Sequence, residues 1–335
     1  MRRFWIGIDV SKKTLDVALL GASGGVLAQE KVDNTDKALQ KLYVRWARSF
    51  RFKKEECLIC LEPTGHYSNG PVLALLDMEV PTWLAHPTNI LKGTGTTRGK
   101  DDKVDALRIA VYARRYQDKA CLMTENFRRT LALKQLITQR KGLVRRKGSL
   151  DAKLKDHTRF LDQAHRVSCM RMEKAEAALL KKHIKQLDRM IIQVIKADPE
   201  LYRQYKLIRT VDGVGEVLAA HLLATTEGFT RYNTAKELAC HAGLAPFCYT
   251  SGTSIKGKSR VSKQARKGLK TIVHMAATRV IQLKGEMKDY YERKIAQGKN
   301  KMAVLNAVRN KIIHRVCAVI ARGTPYIGRK TIMVA

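Results

Sequence analysis

The sequence contains no run of about 18 uncharged apolar residues, the length that a membrane-spanning helix requires. We therefore predict no association with a membrane. The apolar beginning of the chain is interrupted by Asp9, Lys12 and Lys13. These charges argue against a secretory signal peptide and favour a β-strand.

The sequence also lacks the cysteine patterns of disulfide frameworks and zinc ribbons. Its seven cysteines are an odd number and are scattered along the chain, which is typical of reduced thiols in the cytosol. Cys57 and Cys60 form a CxxC motif, but no second pair lies at zinc-ribbon spacing, and the motif sits inside the apolar run CLICLE. We predict buried strand cysteines here in preference to a metal or redox site.

Acidic residues are few: 30 Asp and Glu face 64 Lys and Arg, which gives a formal charge of +34. This excess predicts a polyanionic partner, because basic side chains placed on phosphates release condensed counterions. The basic residues are spread along the whole chain, which disfavours a neutral enzyme with a basic arm. The length of 335 residues predicts two or three domains.

The first third of the chain has the pattern of an α/β domain. Residues 4–20 predict two antiparallel strands joined by a tight turn, and GGVLAQEKV predicts a third strand. A helix start at residues 33–36, a buried strand at CLICLE, a helix at PVLALLDM and a short strand at VPTWLA follow. Three strands, helix, strand, helix, strand is the order of a ribonuclease-H-like fold. The loop KGTGTTRGK then leads into a helix over DDKVDALRIAVYARRY.

The middle of the chain predicts long helices. Residues 128–197 are nearly free of Gly and Pro, and apolar residues at 177, 180, 184, 187, 191 and 194 form a heptad seam. The helices could pair as a hairpin, pack on their own domain, or join a second subunit as a coiled coil. We divide the chain into an α/β catalytic domain (1–125), a coiled-coil helical segment (126–200) and a mainly α C-terminal domain (201–335).

The C-terminal domain begins with LIRTVDGVGEVLAAHLLA, in which a G-x-G lies between two helical patterns. Gly213 and Gly215 are thus candidates for a helix-hairpin-helix turn whose amides face a phosphate. From there to Ala335 the pattern is helical and basic, broken by a predicted loop over CYTSGTSIKGKSR.

Two acids are placed at strand positions where they could meet. Asp9 lies in the first strand between Ile8 and Val10, where an isolated charge is costly without a partner. Glu62 ends the next apolar strand. If these strands are neighbours, both carboxylates lie at the same edge of the sheet, and a metal ion could be their partner.

Two further acids begin a predicted helix. Asp102 and Asp105 are three residues apart and share one helix face. Together, the four acids could hold two divalent cations about 4 Å apart, which would activate the attacking oxygen and stabilise the leaving oxygen of a phosphodiester. First-turn aspartates also favour the helix dipole, so a purely structural role is the alternative. Asp101 and Asp16 compete for the catalytic role.

Taken together, the motifs GIDVSKKTLDVAL, LEPTGHY, RGKDDKVDA, VDGVG, HAGLAP and TSGTSIKG resemble the DEDD-type transposases of the insertion-sequence one-ten family. The resemblance implies a RuvC-like domain, a coiled coil and a C-terminal transposase domain. It makes Asp9, Glu62, Asp102 and Asp105 the acidic tetrad. Ser251, in the Ser-Gly motif, becomes the candidate nucleophile. A guide non-coding RNA is implied as well.

The resemblance has two departures. Asp212 precedes Gly213 where the family commonly has proline, and Ala265-Arg266 stands where the family commonly has Gly-Asn. Neither departure touches the proposed catalytic side chains. The basic residues near the motifs are candidate contacts to nucleic acid, in addition to the two glycines of the turn: Lys100, Lys256, Lys258 and Arg260.

The sequence thus predicts a recombinase that excises and inserts its own mobile element, with Mg²⁺ or Mn²⁺ as cofactor. DNA and a guide RNA are its expected partners, in a homodimer or homotetramer acting in the cytoplasm at the bacterial nucleoid. One alternative is a metal-dependent junction-resolving endonuclease, which would need the carboxylates and no serine. A second is a non-catalytic nucleic-acid-binding protein with a degenerate nuclease fold.

Overall fold

A computed structural model describes residues 2–95, 102–156, 160–251, 255–261 and 267–328. Within these ranges, the side chains of residues 102–103, 154–156, 247–251, 255–261 and 267 lie outside the description. The chain divides into two compact units, Met1–Arg128 and Arg129–Ala335. The predicted boundary between the helical segment and the C-terminal domain stays a prediction.

The N-terminal unit is built on one five-stranded sheet. Its strands are β1 (Phe4–Val10), β2 (Thr14–Leu20), β3 (Val26–Asp33), β4 (Cys57–Leu61) and β5 (Thr82–Leu84). Their spatial order is β3-β2-β1-β4-β5. The first three strands are antiparallel, and β1, β4 and β5 run parallel. This order and orientation are those of a ribonuclease-H-like fold, as the sequence predicts.

Four helices accompany the sheet: α1 (Asp36–Ser49), α2 (Asn69–Asp77), α3 (Pro87–Thr94) and α4 (Asp102–Arg115). Thr35 caps α1 by accepting a hydrogen bond from the Ala38 amide. β4 is buried at every position, as expected for a central strand covered on both faces. β3 instead alternates between exposed and half-buried residues, as expected at a sheet edge.

The C-terminal unit is mainly helical. Its helices are α5 (Glu125–Asp156, which starts in the N-terminal unit), α6 (Gln163–Ala197), α7 (Pro199–Arg209), α8 (Glu216–Thr226), α9 (Ala235–His241), α10 (Lys267–Val280), α11 (Glu286–Ala296) and α12 (Lys301–Arg322). A two-stranded antiparallel hairpin, β6 (Pro246–Ser251) and β7 (Ile255–Val261), interrupts them. Ile208, Leu222, Val273 and Ile312 are fully buried members of the core of this unit.

The heptad seam coincides with the buried stripe of α6. Leu180 and Ile191 are buried, whereas Leu179 and Met190, one residue before each of them, are exposed. Arg140 on α5 forms an ion pair with Asp188 on α6. The periodicity therefore marks the packed face of the helix. A coiled coil that joins subunits stays a prediction.

Two local features differ from the sequence prediction. A helix that the sequence pattern did not indicate, α3, includes the first three residues of the predicted loop KGTGTTRGK, Lys92 to Thr94. The predicted loop over CYTSGTSIKGKSR is largely strand: its backbone forms most of the β6–β7 hairpin, whose connecting residues 252–254 lie outside the described part. Among the described residues, no helix has the length and apolarity needed to cross a membrane.

Candidate active site

The parallel register of β1 and β4 brings Asp9 and Glu62 to neighbouring positions. Gly7 pairs with Cys60 and Ile8 with Leu61. Advancing this register by one residue places Asp9 beside Glu62. Since side chains alternate between faces along a strand, Asp9 shares a face with Gly7, and Glu62 shares that face with Cys60. The two acids therefore lie at one end of adjacent strands on the same face of the sheet.

The same face is covered by α4, which approaches β1 at Gly7. A Cβ atom at Gly7 would lie 2.1 Å from the Ala106 carbonyl oxygen and 2.3 Å from the Ala110 amide nitrogen. Only the absence of a side chain allows this approach. It holds the helix backbone against the sheet one residue beyond Asp105, so this acid lies on the same side of the sheet as Asp9 and Glu62.

The electrostatics of Glu62 show that three of the predicted acids converge. Burial raises the pKa of the Glu62 carboxyl above its ordinary value, and the negative charges of Asp9 and Asp105 raise it further. Like charges interact this way only when they are close. The three carboxylates therefore repel one another, and a bound cation would stabilise their ionised forms.

Arg108 is a site residue that the sequence interpretation missed. It lies one turn after Asp105 on α4 and donates from Nη1 to Asp105 Oδ1 over 3.0 Å. Its Nη2 donates over 3.1 Å to the carbonyl oxygen of Gly95, the residue that ends α3. Only 19% of the Arg108 side chain is exposed. The guanidinium thus holds one oxygen of Asp105, and the i,i+3 spacing of an acid and an arginine is the signal that could have found it.

A cleft of about 290 Å³ opens beside these residues and is lined by Glu62, Asp105, Arg108 and one side of α3. Carboxylate oxygens are the ligands that Mg²⁺ and Mn²⁺ prefer. Among the described side chains, no three His, Cys, Asp or Glu residues form a complete metal-binding group. The fourth predicted acid, Asp102, starts α4, but its side chain lies outside the described part.

The competing acids are placed differently. Asp16 pairs with Asp9 across β1 and β2, but only 2% of it is exposed, and its carboxylate lies 3.2 Å from Lys31 Nζ. Lys31 therefore already supplies the cation that Asp16 needs in the interior. Asp101 and Lys100 lie outside the described residues.

The cysteine prediction is confirmed. Cys57 and Cys60 are both buried in β4 and both are free thiols. Three residues apart on a strand, they point to opposite faces, so they cannot share a metal ion. Burial raises the pKa of each thiol, which keeps both protonated and unreactive.

The candidate nucleophile lies in the C-terminal unit. Ser251 is the last residue of β6, and its backbone pairs with Ile255 at the start of β7. Lys256, Lys258 and Arg260 occupy alternate positions of β7. The hairpin thus places the serine at its turn and the three basic residues along the following strand.

The G-x-G motif forms the turn between α7 and α8, as predicted. Gly213 has a φ of +83°, and a Cβ there would lie 3.1 Å from the Ala276 carbonyl oxygen, so both conformation and space favour glycine. Gly215 is the N-cap of α8 and supplies no side-chain cap. The first amides of α8 are therefore not occupied by a capping side chain, which is compatible with a phosphate contact.

Two family models match successive parts of the chain. A model for DEDD transposases of the IS110 group, described as transposase, matches residues 6–166. A model described as transposase of the IS116/IS110/IS902 family matches residues 205–292. A match to DEDD transposases implies dependence on a divalent metal ion.

Individual relatives agree with these models. The pilin gene-inverting protein of Moraxella bovis is 26% identical over 340 residues, which cover 97% of this chain and 98% of the relative. The insertion element IS110 uncharacterized 43.6 kDa protein of Streptomyces coelicolor is 32% identical over 123 residues, or 37% of this chain and 30% of the relative. Thermus thermophilus RuvC in complex with a Holliday junction substrate is 15% identical, with a TM-score of 0.29 over 36% of this chain and all of RuvC.

Proposed function

This chain belongs to the IS116/IS110/IS902 family of transposases and is a DNA transposase or recombinase, and from that premise we propose how it works. It excises and inserts its own mobile element at the bacterial nucleoid, with an acidic metal-binding tetrad and a serine nucleophile. The tetrad is Asp9, Glu62, Asp102 and Asp105, and the nucleophile is Ser251.

The observation that supports this proposal best is the convergence of three carboxylates at one end of the sheet. The neighbouring charges of Asp9 and Asp105 raise the pKa of Glu62, so they lie within electrostatic reach of it. A shared cation explains why three acids accumulate at one place in a chain of net charge +34.

The tetrad would hold Mg²⁺ or Mn²⁺ through its carboxylate oxygens. When bound, a divalent ion supplies charge stabilisation for the attacking and leaving oxygens of a phosphodiester. Asp9 and Glu62 contribute ligands from rigid strands, and Asp105 contributes one from α4. Through its hydrogen bond to Asp105 Oδ1, Arg108 would orient this carboxylate for a bound ion.

In the serine step, Ser251 Oγ attacks the phosphorus of the scissile phosphodiester. One phosphorus–oxygen bond forms as another breaks, and the serine proton ends on the leaving oxygen. The covalent phosphoserine conserves the bond energy, so the strand can be rejoined by the reverse reaction without an external energy source. Lys256, Lys258 and Arg260 would neutralise the phosphate charge during this exchange.

The remaining parts of the proposal concern the partners. DNA phosphates would bind at Gly213 and Gly215, and at Lys100 ahead of α4. The net charge of +34 is enough to hold a guide RNA as well as DNA, and we propose such an RNA as a partner. We also propose a homodimer or homotetramer, because excision and insertion act on more than one DNA strand.

The full-length similarity to a pilin gene-inverting protein favours a second candidate function, inversion of a DNA segment. Both reactions would use the same residues. They differ in the DNA substrate: inversion requires two recombining sites on one molecule in opposite orientation, whereas excision requires them in the same orientation. Supplying both substrates to the same protein distinguishes the two functions.

The decisive experiment incubates wild type, Asp9→Ala and Ser251→Ala with Mg²⁺, element-end DNA and RNA from the flanks of the element. The readouts are protein–DNA adducts that survive SDS, and recombined product. We expect wild type to form both, and each variant to lose the product. Ser251→Ala should lose the adduct.

Matched controls keep the result specific. Asp118→Ala removes an exposed aspartate of the same unit outside the cluster. Thr250→Ala and Thr253→Ala remove the two hydroxyls nearest to Ser251 in sequence. If cleavage requires Asp9 while Ser251→Ala stays active without any adduct, the chain is a metal-dependent nuclease. If neither variant changes the products, both assignments are wrong.

A further inference from the structure

A groove in the C-terminal unit extends beyond the turn glycines that the proposed function assigns to DNA phosphates. It is formed by α5, by the turn between α7 and α8, and by α10, and it encloses about 510 Å³. We call it the α5–α8–α10 groove. The residues that line it include Lys141, Val144, Gly213, Gly215, Ile272 and Met275. Its volume lies within the range of about 300–1,000 Å³ that is typical of ligand pockets.

The floor of the groove is apolar and open to water. Met275 on α10 is 67% exposed and Val144 on α5 is 43% exposed, although both are large hydrophobic side chains. Adjacent exposed apolar residues in a concave surface indicate a binding site, because water is displaced favourably from them. The groove therefore lacks the partner that would cover Met275 and Val144.

The rim of the groove is basic. A Cβ atom at Gly268, the second residue of α10, would lie 3.5 Å from Lys141 Nζ. The Lys141 ammonium thus reaches from α5 to the start of α10, and both Lys141 and Gly268 line the groove. An apolar floor beside a cation suits a ligand that combines a flat apolar part with a negative charge.

We propose that the α5–α8–α10 groove holds an unpaired nucleotide of the DNA substrate. The base packs on Met275 and Val144, and the phosphate on one side of it faces Lys141. The inference rests on the proposed function, since it uses the same DNA that would contact Gly213 and Gly215. It adds a site for a base that has left the duplex.

A nucleotide fits the groove better than the other possible occupants. A second copy of the chain would bring another charge of +34, whereas DNA brings the opposite charge. A paired duplex would present its polar backbone to the apolar floor, whereas an unpaired base presents an apolar face. An RNA nucleotide would place a 2′-hydroxyl against a surface with few polar groups, and burying that hydroxyl without a partner is costly.

The test uses the full-length protein and two versions of one short DNA duplex, fully paired or with a bulge of unpaired thymines. Fluorescence anisotropy measures binding by wild type, Met275→Glu and Met302→Glu. Met302 is a matched control, because it is also highly exposed and lies on α12, outside the groove. Neither side chain contributes to a buried core, so both variants should fold. A 4-thiothymidine in the bulge reports which peptide the base touches.

We expect wild type to bind the bulged duplex about tenfold more tightly than the paired one, as the packing of one base predicts. Met275→Glu should remove this preference, and Met302→Glu should keep it. The crosslink should map to the α10 peptide. An absent preference, equal effects of the two variants, or crosslinks confined to other helices would overturn the proposal.

The remaining outcomes separate this proposal from its rivals and from the proposed function. A bulged RNA that binds more tightly than bulged DNA would make RNA the occupant. A change in oligomeric state with Met275→Glu, at unchanged DNA affinity, would make a second copy the occupant. If Ser251→Ala still forms the covalent adduct while the protein keeps its preference for the bulged duplex, the proposed serine reaction is wrong and the groove site is still supported.

Discussion

Gly7 offers the sharpest test of how the fold builds the cluster of acids, because one added methyl group would act on α4 without touching any carboxylate. In Gly7→Ala, the new Cβ would lie 2.1 Å from the Ala106 carbonyl oxygen and 2.3 Å from the Ala110 amide nitrogen. Both are backbone atoms, so no rotation of a side chain can relieve the overlap. The helix must move away from β1.

The size of the displacement follows from these contacts. A separation below 3.0 Å is essentially never found for a Cβ atom, so α4 must retreat by roughly 1 Å. Overpacking of this kind costs about 1–3 kcal/mol of folding free energy. Asp105 moves with the helix, while Asp9 and Glu62 stay on the strands. A misplacement of about 1 Å at a reacting centre costs on the order of 100-fold in rate.

The assay compares Gly7→Ala with Gly148→Ala in thermal melts, Mn²⁺ titrations and DNA cleavage. Gly148 lies on α5, and a Cβ there would meet nothing within 4 Å. That control should be more stable than wild type by about 0.5–1 kcal/mol, since alanine favours a helix over glycine. Gly7→Ala should melt earlier, bind Mn²⁺ more weakly and cleave roughly 100-fold more slowly. Wild-type Mn²⁺ affinity and cleavage in a folded Gly7→Ala protein would refute the reasoning.

Three further predictions concern the N-terminal unit. Arg108→Lys keeps the positive charge but loses the two-pronged guanidinium, and Arg108→Gln loses both. We expect each variant to weaken Mn²⁺ binding about 10–100-fold in calorimetry. Tighter Mn²⁺ binding by Arg108→Gln would mean that the charge of Arg108 alone matters. Glu62→Gln should abolish cleavage and raise the melting temperature of the metal-free protein at neutral pH. The raised pKa means that ionised Glu62 destabilises the fold. The gain in melting temperature should therefore vanish as the pH falls below 4.5, the ordinary pKa of a glutamate. A gain that persists below this pH would show that the charge of Glu62 is not its cause. Exposed Cys121 should react with a thiol reagent before buried Cys57 and Cys60, as mass spectrometry of labelled peptides would show, and equal rates would contradict their burial.

Much of the N-terminal fold was predictable because each element carries its own signal. β1, β2 and β4 are apolar runs, and turn residues separate them. The pattern failed for α3, which buries only Ile90 and contains Gly93 near its end. A helix of eight residues completes only about two turns, so its apolar positions repeat too few times to be recognised as a helical period.

The hairpin of β6 and β7 was missed for a related reason. In β7, basic residues alternate with small or apolar ones, but the Gly, Ser and Lys of this segment are also typical of loops, so the alternation was not recognised. The two strands exist because they pair with each other, and the sequence pattern of either strand alone carries no record of that pairing.

The candidate site was predictable in its residue types but not in its contacts. Asp9 and Glu62 could be placed at one edge from strand positions alone. The link from Arg108 to Gly95 depends on where α3 ends, and that helix was not predicted. The role of Gly7 depends on how closely α4 approaches the sheet, which is a property of packing.

The pairing of β1 with β4 has a consequence for how this protein can change. The number of residues in each strand determines on which face of the sheet Asp9 and Glu62 lie, because side chains alternate between faces along a strand. Inserting one residue before either acid would turn its carboxylate to the other side of the sheet, whereas inserting two would return it to the same side, one pleat further along. The site therefore tolerates substitution of the apolar residues around it far more readily than any change in their number. Apart from Gly7, the number of residues between Phe4 and Asp9, and between Cys57 and Glu62, constrains the site more than their identities do.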